Sequence, residues 1–128
     1  MTFHVDGSLP TTDGTVFVFG SNLAGIHAGG AARVAQEKFG AEQGRVRGAW
    51  AFSYAIPTLD AQFAKLPLAH IENNVTAFLA DSTNDPDTEF FVTRIGCGIA
   101  GFADQDIAPM FKGAPPNCSF ANEWEKFL

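Results

Sequence analysis

The sequence predicts one α/β domain on a mostly parallel sheet, and three observations predict it. Residues 15–19 (TVFVF) and 89–95 (EFFVTRI) are short runs rich in β-branched and aromatic residues, the pattern of inner strands covered on both faces. Segments with apolar residues at helical spacing alternate with these runs, as in chains that place helices on the faces of a parallel sheet. Each of the two runs is followed at once by a glycine-rich loop, GSNLAGIHAGG (residues 20–30) and GCGIAGF (residues 96–102), and then by helix signals.

The elements follow in order. Residues 1–14 carry turn signals: Asp6-Gly7, Pro10 and Asp13-Gly14. After the first run and loop, Ala31, Val34, Ala35 and Phe39 share a helical face, and Gly40 suits the position after the helix end. Residues 41–49 read as a surface loop. Residues 50–57 (WAFSYAIP) alternate, with Trp50, Phe52, Tyr54 and Ile56 on one side and Ala51, Ser53 and Ala55 on the other. Pro67 opens a helix carrying Leu68, Ile71, Val75, Phe78 and Leu79. Residues 81–87 form a polar turn. Beyond the second loop a short helix holds Ile107, Met110 and Phe111; Asp106 is the preferred cap because Pro109 then falls in the first turn. Cys118 to Ala121 predicts a last strand, with Trp124 to Leu128 packing the end.

Composition narrows the function. The chain has 128 residues, 46% of them hydrophobic and 13 of them Phe, enough for a single core spanning residues 1–128 without staples. No repeat, low-complexity tract or linker marks a boundary. The net charge is −6, and Arg45 and Arg47 are the nearest approach to a basic cluster, so a nucleic-acid groove is not expected. Two cysteines without a signal-peptide pattern fit a reducing, cytoplasmic setting, and no apolar run is long enough to span a membrane. No metal-ligand spacing occurs, and no cofactor is expected.

The chemistry is expected in the loops, which a parallel sheet places together at the carboxyl ends of its strands. A strand end, a glycine-rich loop and a helix N-terminus make an anion site, because glycine lets backbone approach phosphate oxygens and the first helical turn has unpaired N–H groups. Asn22 at the strand exit can bond a ribose hydroxyl, or it can serve loop backbone with Ser21. His27 is either a catalytic group or a structural histidine. GCGIAG matches G-x-G-x-x-G, but too little chain follows it for a dinucleotide fold, and residues 116–119 (PNCS) lack the acid expected there. It is better read as a second phosphate loop. Cys97, between two glycines, is a nucleophile on a tight turn or a small buried residue. Asp60, just past the alternating strand, is a general base at the ligand edge or a solvated loop acid.

Taken together, the segments 16–40 (VFVFGSNLAGIHAGGAARVAQEKFG), 53–58 (SYAIPT) and 93–111 (TRIGCGIAGFADQDIAPMF) resemble the macro domains, which bind ADP-ribose and in some members remove it from macromolecules; the chain is similar to a small phage and bacterial branch. The resemblance implies a three-layer α/β/α fold with a mixed, mostly parallel sheet, and a ligand such as ADP-ribose or an ADP-ribosylated macromolecule. It implies that Gly96, Cys97, Gly98, Ile99, Ala100, Gly101 and Phe102 wrap the diphosphate and stack near the distal ribose, with Asn22, Gly29, Gly30 and Ala31 as the facing wall; Gly20 and Ser21, at the start of the first glycine-rich segment, are expected to bind the ligand with them. The family's acid for the adenine amine has Asp13, close before Val16, as its nearest counterpart. The family's catalytic acids find no match. One branch has an aspartate where this chain has Ala100, another an acid within residues 28–32, where none occurs, and glycohydrolases a Gln-Glu-Glu echoed only by Gln36-Glu37-Lys38. That leaves a binder, or a hydrolase of ADP-ribosyl linkages using Asn22, His27 or Asp60. The alternatives are a Cys97-dependent hydrolase or transferase, and a non-catalytic protein that sequesters a nucleotide or docks a partner.

Overall fold

A computed structural model describes residues 1–128. Its strands are β1 (Thr2–His4), β2 (Val16–Asn22), β3 (Gly48–Trp50), β4 (Ser53–Leu59), β5 (Phe90–Val92) and β6 (Cys118–Ala121). The α-helices are α1 (Gly30–Lys38), α2 (Leu68–Thr83) and α3 (Asp104–Ile107), and 3-10 segments cover Ala108–Phe111 and Asn122–Phe127. The strands form one sheet in the order β1-β6-β5-β2-β4-β3, parallel throughout except for β3, which pairs antiparallel to β4 at the edge. The chain is thus the α/β protein with a mixed, mostly parallel sheet that its sequence predicts.

Successive residues of a strand face opposite sides of the sheet, and both sides of β2 are apolar. Phe17 and Phe19 pack with Ala55, Phe91 and the α1 residues Ala32 and Ala35. Val18 packs the other way with Ile56, Val92 and the α2 residues Ile71, Val75 and Phe78, whose spacing is that of one helical stripe. The α2 side is the main core, with 16 buried residues against 7 on the α1 side. It also holds Phe111, Phe120 and Trp124, whose rings pack 5.3 to 6.2 Å apart. Asn117 ties the end of α2 to β6, donating to the carbonyls of Ser82, Asp85 and Thr88. Gly40 closes α1 at φ +77, and a side chain there would meet Ala51 Cβ at 2.7 Å.

Several local expectations need correction. Residues 2–4 form a strand, too short to show a period. The alternating run 50–57 is not one strand: the chain turns at Ala51 (φ 52), so Trp50 belongs to β3 and both Trp50 and Phe52 are exposed, while Tyr54 and Ile56 enter the core. Leu68 is exposed, and α2 continues through Asp81, whose carboxylate accepts from the Tyr54 hydroxyl. Asp106 caps nothing. The helix starts at Asp104, and Pro109 is accommodated because the backbone switches to 3-10 geometry at Ala108.

Candidate ligand cleft

Both glycine-rich loops leave the carboxyl ends of adjacent parallel strands, β2 and β5, so the topology brings them together. A cleft of about 510 Å³ lies between them, on the side of the sheet with the thinner core. That volume is in the range of small-molecule sites. Gly20, Ser21 and Asn22 line it from the end of β2, which runs three residues further than the sequence predicts, Gly29 from the first loop, Gly30 and Ala31 from the start of α1, and Gly96, Cys97, Gly98, Ile99 and Ala100 from the second loop. The loops approach closely. A Cβ on Gly20 would lie 3.3 Å from the Gly96 nitrogen, so any side chain at Gly20 would press the second loop away. The Ile99 side chain reaches across: a Cβ on Gly29 would lie 3.1 Å from Ile99 Cδ1, although Ile99 itself is 77% exposed.

The cleft is supplied with backbone donors and not with free cations. The amides of Ala28, Gly29, Gly98, Ile99 and Ala100 make no backbone hydrogen bond, and those of Gly30, Ala31 and Ala32 belong to the first turn of α1, where no intrahelical partner exists. Arg94 also lines the cleft, but its guanidinium is taken. Nε and Nη2 donate to the Asp104 carboxylate at 3.0 and 2.6 Å, and Nη1 donates to Asp6 at 3.0 Å. Trp124 Nε1 adds a bond to Asp104 at 2.7 Å. Arg94 precedes the second loop and Asp104 follows it, so this pair clamps the loop at its base. The Arg94 guanidinium, with help from Trp124 and the Cys97 thiol, holds the Asp104 carboxyl down at about 2.

Other expected site residues fall elsewhere. Gly101 and Phe102 do not line the cleft: Phe102 packs against the main core beneath Lys65, whose Nζ donates to the Gly101 carbonyl at 3.1 Å. His27 is buried edge-on against Phe19, outside the cleft, and neither ring nitrogen has a partner. Asp60 also lies outside. Its Oδ1 accepts from the amides of Gln62 and Ala64 and so closes a turn, which replaces the general-base reading with a structural one. Asn22 lines the cleft but spends its amide on the loop, donating to the Ile26 carbonyl and accepting from the Ile26 amide. Ser21 donates to the Val46 carbonyl. Burial, and then the Asp104 carboxylate, push the Cys97 thiol up to about 12, so it is a protonated thiol and not a prepared nucleophile. Both cysteines are free. Asp13 is exposed and away from the cleft, and Glu37 pairs with Arg33 at 2.8 Å on an exposed helix face.

Sequence reasoning missed both ends of the cleft. At the β1 end stand His4, Asp6, Gly7, Ser8 and Leu9, with Phe91 beside His4. His4 stacks on Phe91 at 3.7 Å and meets Ser119 at 2.6 Å, and burial lowers its pKa. At the β4 end stand Thr58, Leu59 and Phe63. The opposite charges flanking the second loop, Arg94 and Asp104, were the one available signal for the clamp.

No helix is long and apolar enough to cross a membrane, and no cluster of His, Cys, Asp or Glu is arranged to hold a metal ion. No family model, curated protein or solved structure matches this chain.

Proposed function

We propose that this protein binds ADP-ribose, or a nucleotide diphosphate closely related to it, with the diphosphate seated between the two glycine-rich loops as in the macro domains it resembles. The observation that carries the reading is the convergence of two loops with unpartnered amides on one cleft of ligand size. Neutral N–H groups solvate phosphate oxygens well when several converge, and the start of α1 adds the positive end of a helix dipole. This explains how a chain of net charge −6, whose one cleft arginine is already paired, would hold an anion. The sheet order sets β1 and β4 about 19 Å apart at the usual strand spacing, so a cleft with loops in the middle and walls at both ends suits a ligand with central phosphates and two flanking groups.

Binding is favoured over catalysis. The titratable groups in the lining are His4, Asp6, Arg94 and Cys97; Asp6 is engaged by Arg94, His4 by Ser119, and the Cys97 thiol is protonated. None is a free acid or base beside the loops, so hydrolysis of an ADP-ribosyl bond here would have to draw on the substrate's own phosphate or on a group released from its present partner. That supports reading the cleft first as a binding site for a nucleotide or an ADP-ribosylated macromolecule.

Calorimetry with ADP-ribose tests this, with Gly98→Glu as its control. A Cβ at Gly98 meets nothing within 4 Å and the backbone there is not left-handed, so the variant folds normally while placing a carboxylate in the cleft wall. Like charges a few ångströms apart, partly screened, weaken binding about tenfold or more. Absence of heat with the wild type at millimolar ligand, or equal affinity in the variant, refutes the proposal.

A further inference from the structure

We infer that the β3 edge of the sheet is a docking surface for an extended acidic peptide, which adds to β3 as a further strand. The inference does not depend on the nucleotide reading. Trp50 pairs with Ser53, the first residue of β4, whereas the cleft takes Thr58 and Leu59 at the far end of that strand, about 16 Å further along.

The edge is open and its hairpin tip is apolar. β3 pairs with β4 on one side and with no strand on the other, so the amides and carbonyls of alternate residues face solvent. Edge strands are commonly blunted by lysine or proline, and Gly48-Ala49-Trp50 has neither. Ala51 takes φ 52 at the first position of the two-residue turn into β4, where glycine is preferred. The Phe52 amide donates to the Phe39 carbonyl at 3.1 Å, and the Ser53 hydroxyl to the Trp50 carbonyl at 2.7 Å. The turn so held leaves Trp50 37% and Phe52 57% exposed, with Ala49 and Ala51 exposed beside them. Contiguous exposed apolar residues mark interaction sites, and Trp, Phe and Arg are the residues in which interface cores are rich.

Charge names the partner. The Arg45 guanidinium lies 3.5 Å over the Trp50 ring and meets only Glu42, at 3.9 Å. Arg47, just before β3, and Lys38, next to Phe39, are exposed and form no salt bridge, while Glu37 is taken by Arg33. Three of the eight basic residues thus gather at this edge of a chain whose net charge is −6. A peptide with carboxylates among its side chains would pair with them while its main chain pairs with β3 and its apolar residues cover Trp50 and Phe52. A second copy paired through β3 would bring the same cations together, and three cations are too few to follow a nucleic-acid backbone.

The test titrates three probes into the full chain: a synthetic peptide of alternating glutamate and valine, the same peptide with lysine in place of glutamate, and oligothymidylate. Tryptophan emission is the readout, and because Trp124 is fully buried a change in it reports Trp50. The glutamate peptide is expected to shift the emission to the blue, to slow amide exchange in residues 47–52, and to bind less well as salt is raised. Arg47→Glu replaces attraction by repulsion and should weaken it about fivefold or more, and Phe52→Ser should weaken it too. Both residues are exposed, and a thermal melt of each variant verifies its fold. An emission unmoved by the glutamate peptide at millimolar concentration, equal binding of the lysine peptide, or unchanged affinity in Arg47→Glu overturns the assignment. So does binding without protection of the β3 amides, tighter binding of oligothymidylate, or a wild type that sediments as a dimer dissociated by Phe52→Ser.

Discussion

Replacing Asp104 by Asn tests the clamp beneath the second loop. The substitution keeps the shape and an acceptor for Trp124 Nε1, but removes the charge that Arg94 holds with two bonds. The carboxyl titrates at about 2 in the folded protein against an ordinary value of 3.8, a gap equivalent to about 2.4 kcal/mol. The Asp104 side chain is 23% exposed, so solvent screening reduces the expected loss to about 1–2 kcal/mol at pH 7. For a domain of this size that lowers Tm by roughly 3–8 °C. The sign with pH is fixed: a depressed carboxyl stabilises fully above its unfolded value near 4, and the contribution drains away as pH falls through 2. Urea melts of wild type and Asp104→Asn should therefore differ most at pH 7, by about half as much at pH 3, and little at pH 2. A difference that stays constant across that range would show that the charge is not what Asp104 contributes. Because the clamp sets both ends of the loop, the variant should also bind ADP-ribose more weakly at pH 7.

Cys97, with its thiol pushed up to about 12, should react with iodoacetamide at pH 7.5 more slowly than a free cysteine peptide, and Cys97→Ser should bind ligand as the wild type does; rapid alkylation would revive the nucleophile reading. Asp60→Asn keeps an acceptor oxygen in the turn and should bind ADP-ribose within about twofold of wild type, whereas Asp60→Ala should weaken binding by loosening the turn that carries Phe63; a large loss in Asp60→Asn alone would point to the carboxylate's charge. Gly25→Ala puts a Cβ 2.5 Å from the Gly44 Cα at φ +71, and should cost about 2 kcal/mol or more by chemical denaturation while displacing the first loop; an unchanged midpoint would mean that the Gly25–Gly44 contact yields easily.

The fold was legible where burial is two-sided and uninterrupted. Residues 16–19 and 90–92 read as inner strands because both of their faces are apolar, and the stripe Ile71, Val75, Phe78 read as a helix because only one face of it is buried. It was illegible where the backbone departs from its pattern without a glycine or proline to announce it. Ala51 takes φ 52 in the middle of an alternating run, which turns one predicted strand into a hairpin. Asp104 and Asp106 both look like caps, and only the fold shows that Asp104 is committed to Arg94 and Trp124.

The site divides along the same line. The meeting of its two loops was readable because glycines after a strand and before a helix are a local signature, and a parallel sheet brings two such loops to one edge. Its ends were not, because they are assembled from segments distant in sequence. His4 and Asp6 reach the cleft only because β1 pairs with β6, which pairs with β5. Phe63 reaches it only because a carboxylate that looked like a base is used to fold a turn. Local sequence in this chain therefore nominates the two loops, whereas the walls at either end of the cleft depend on contacts that only the tertiary fold creates.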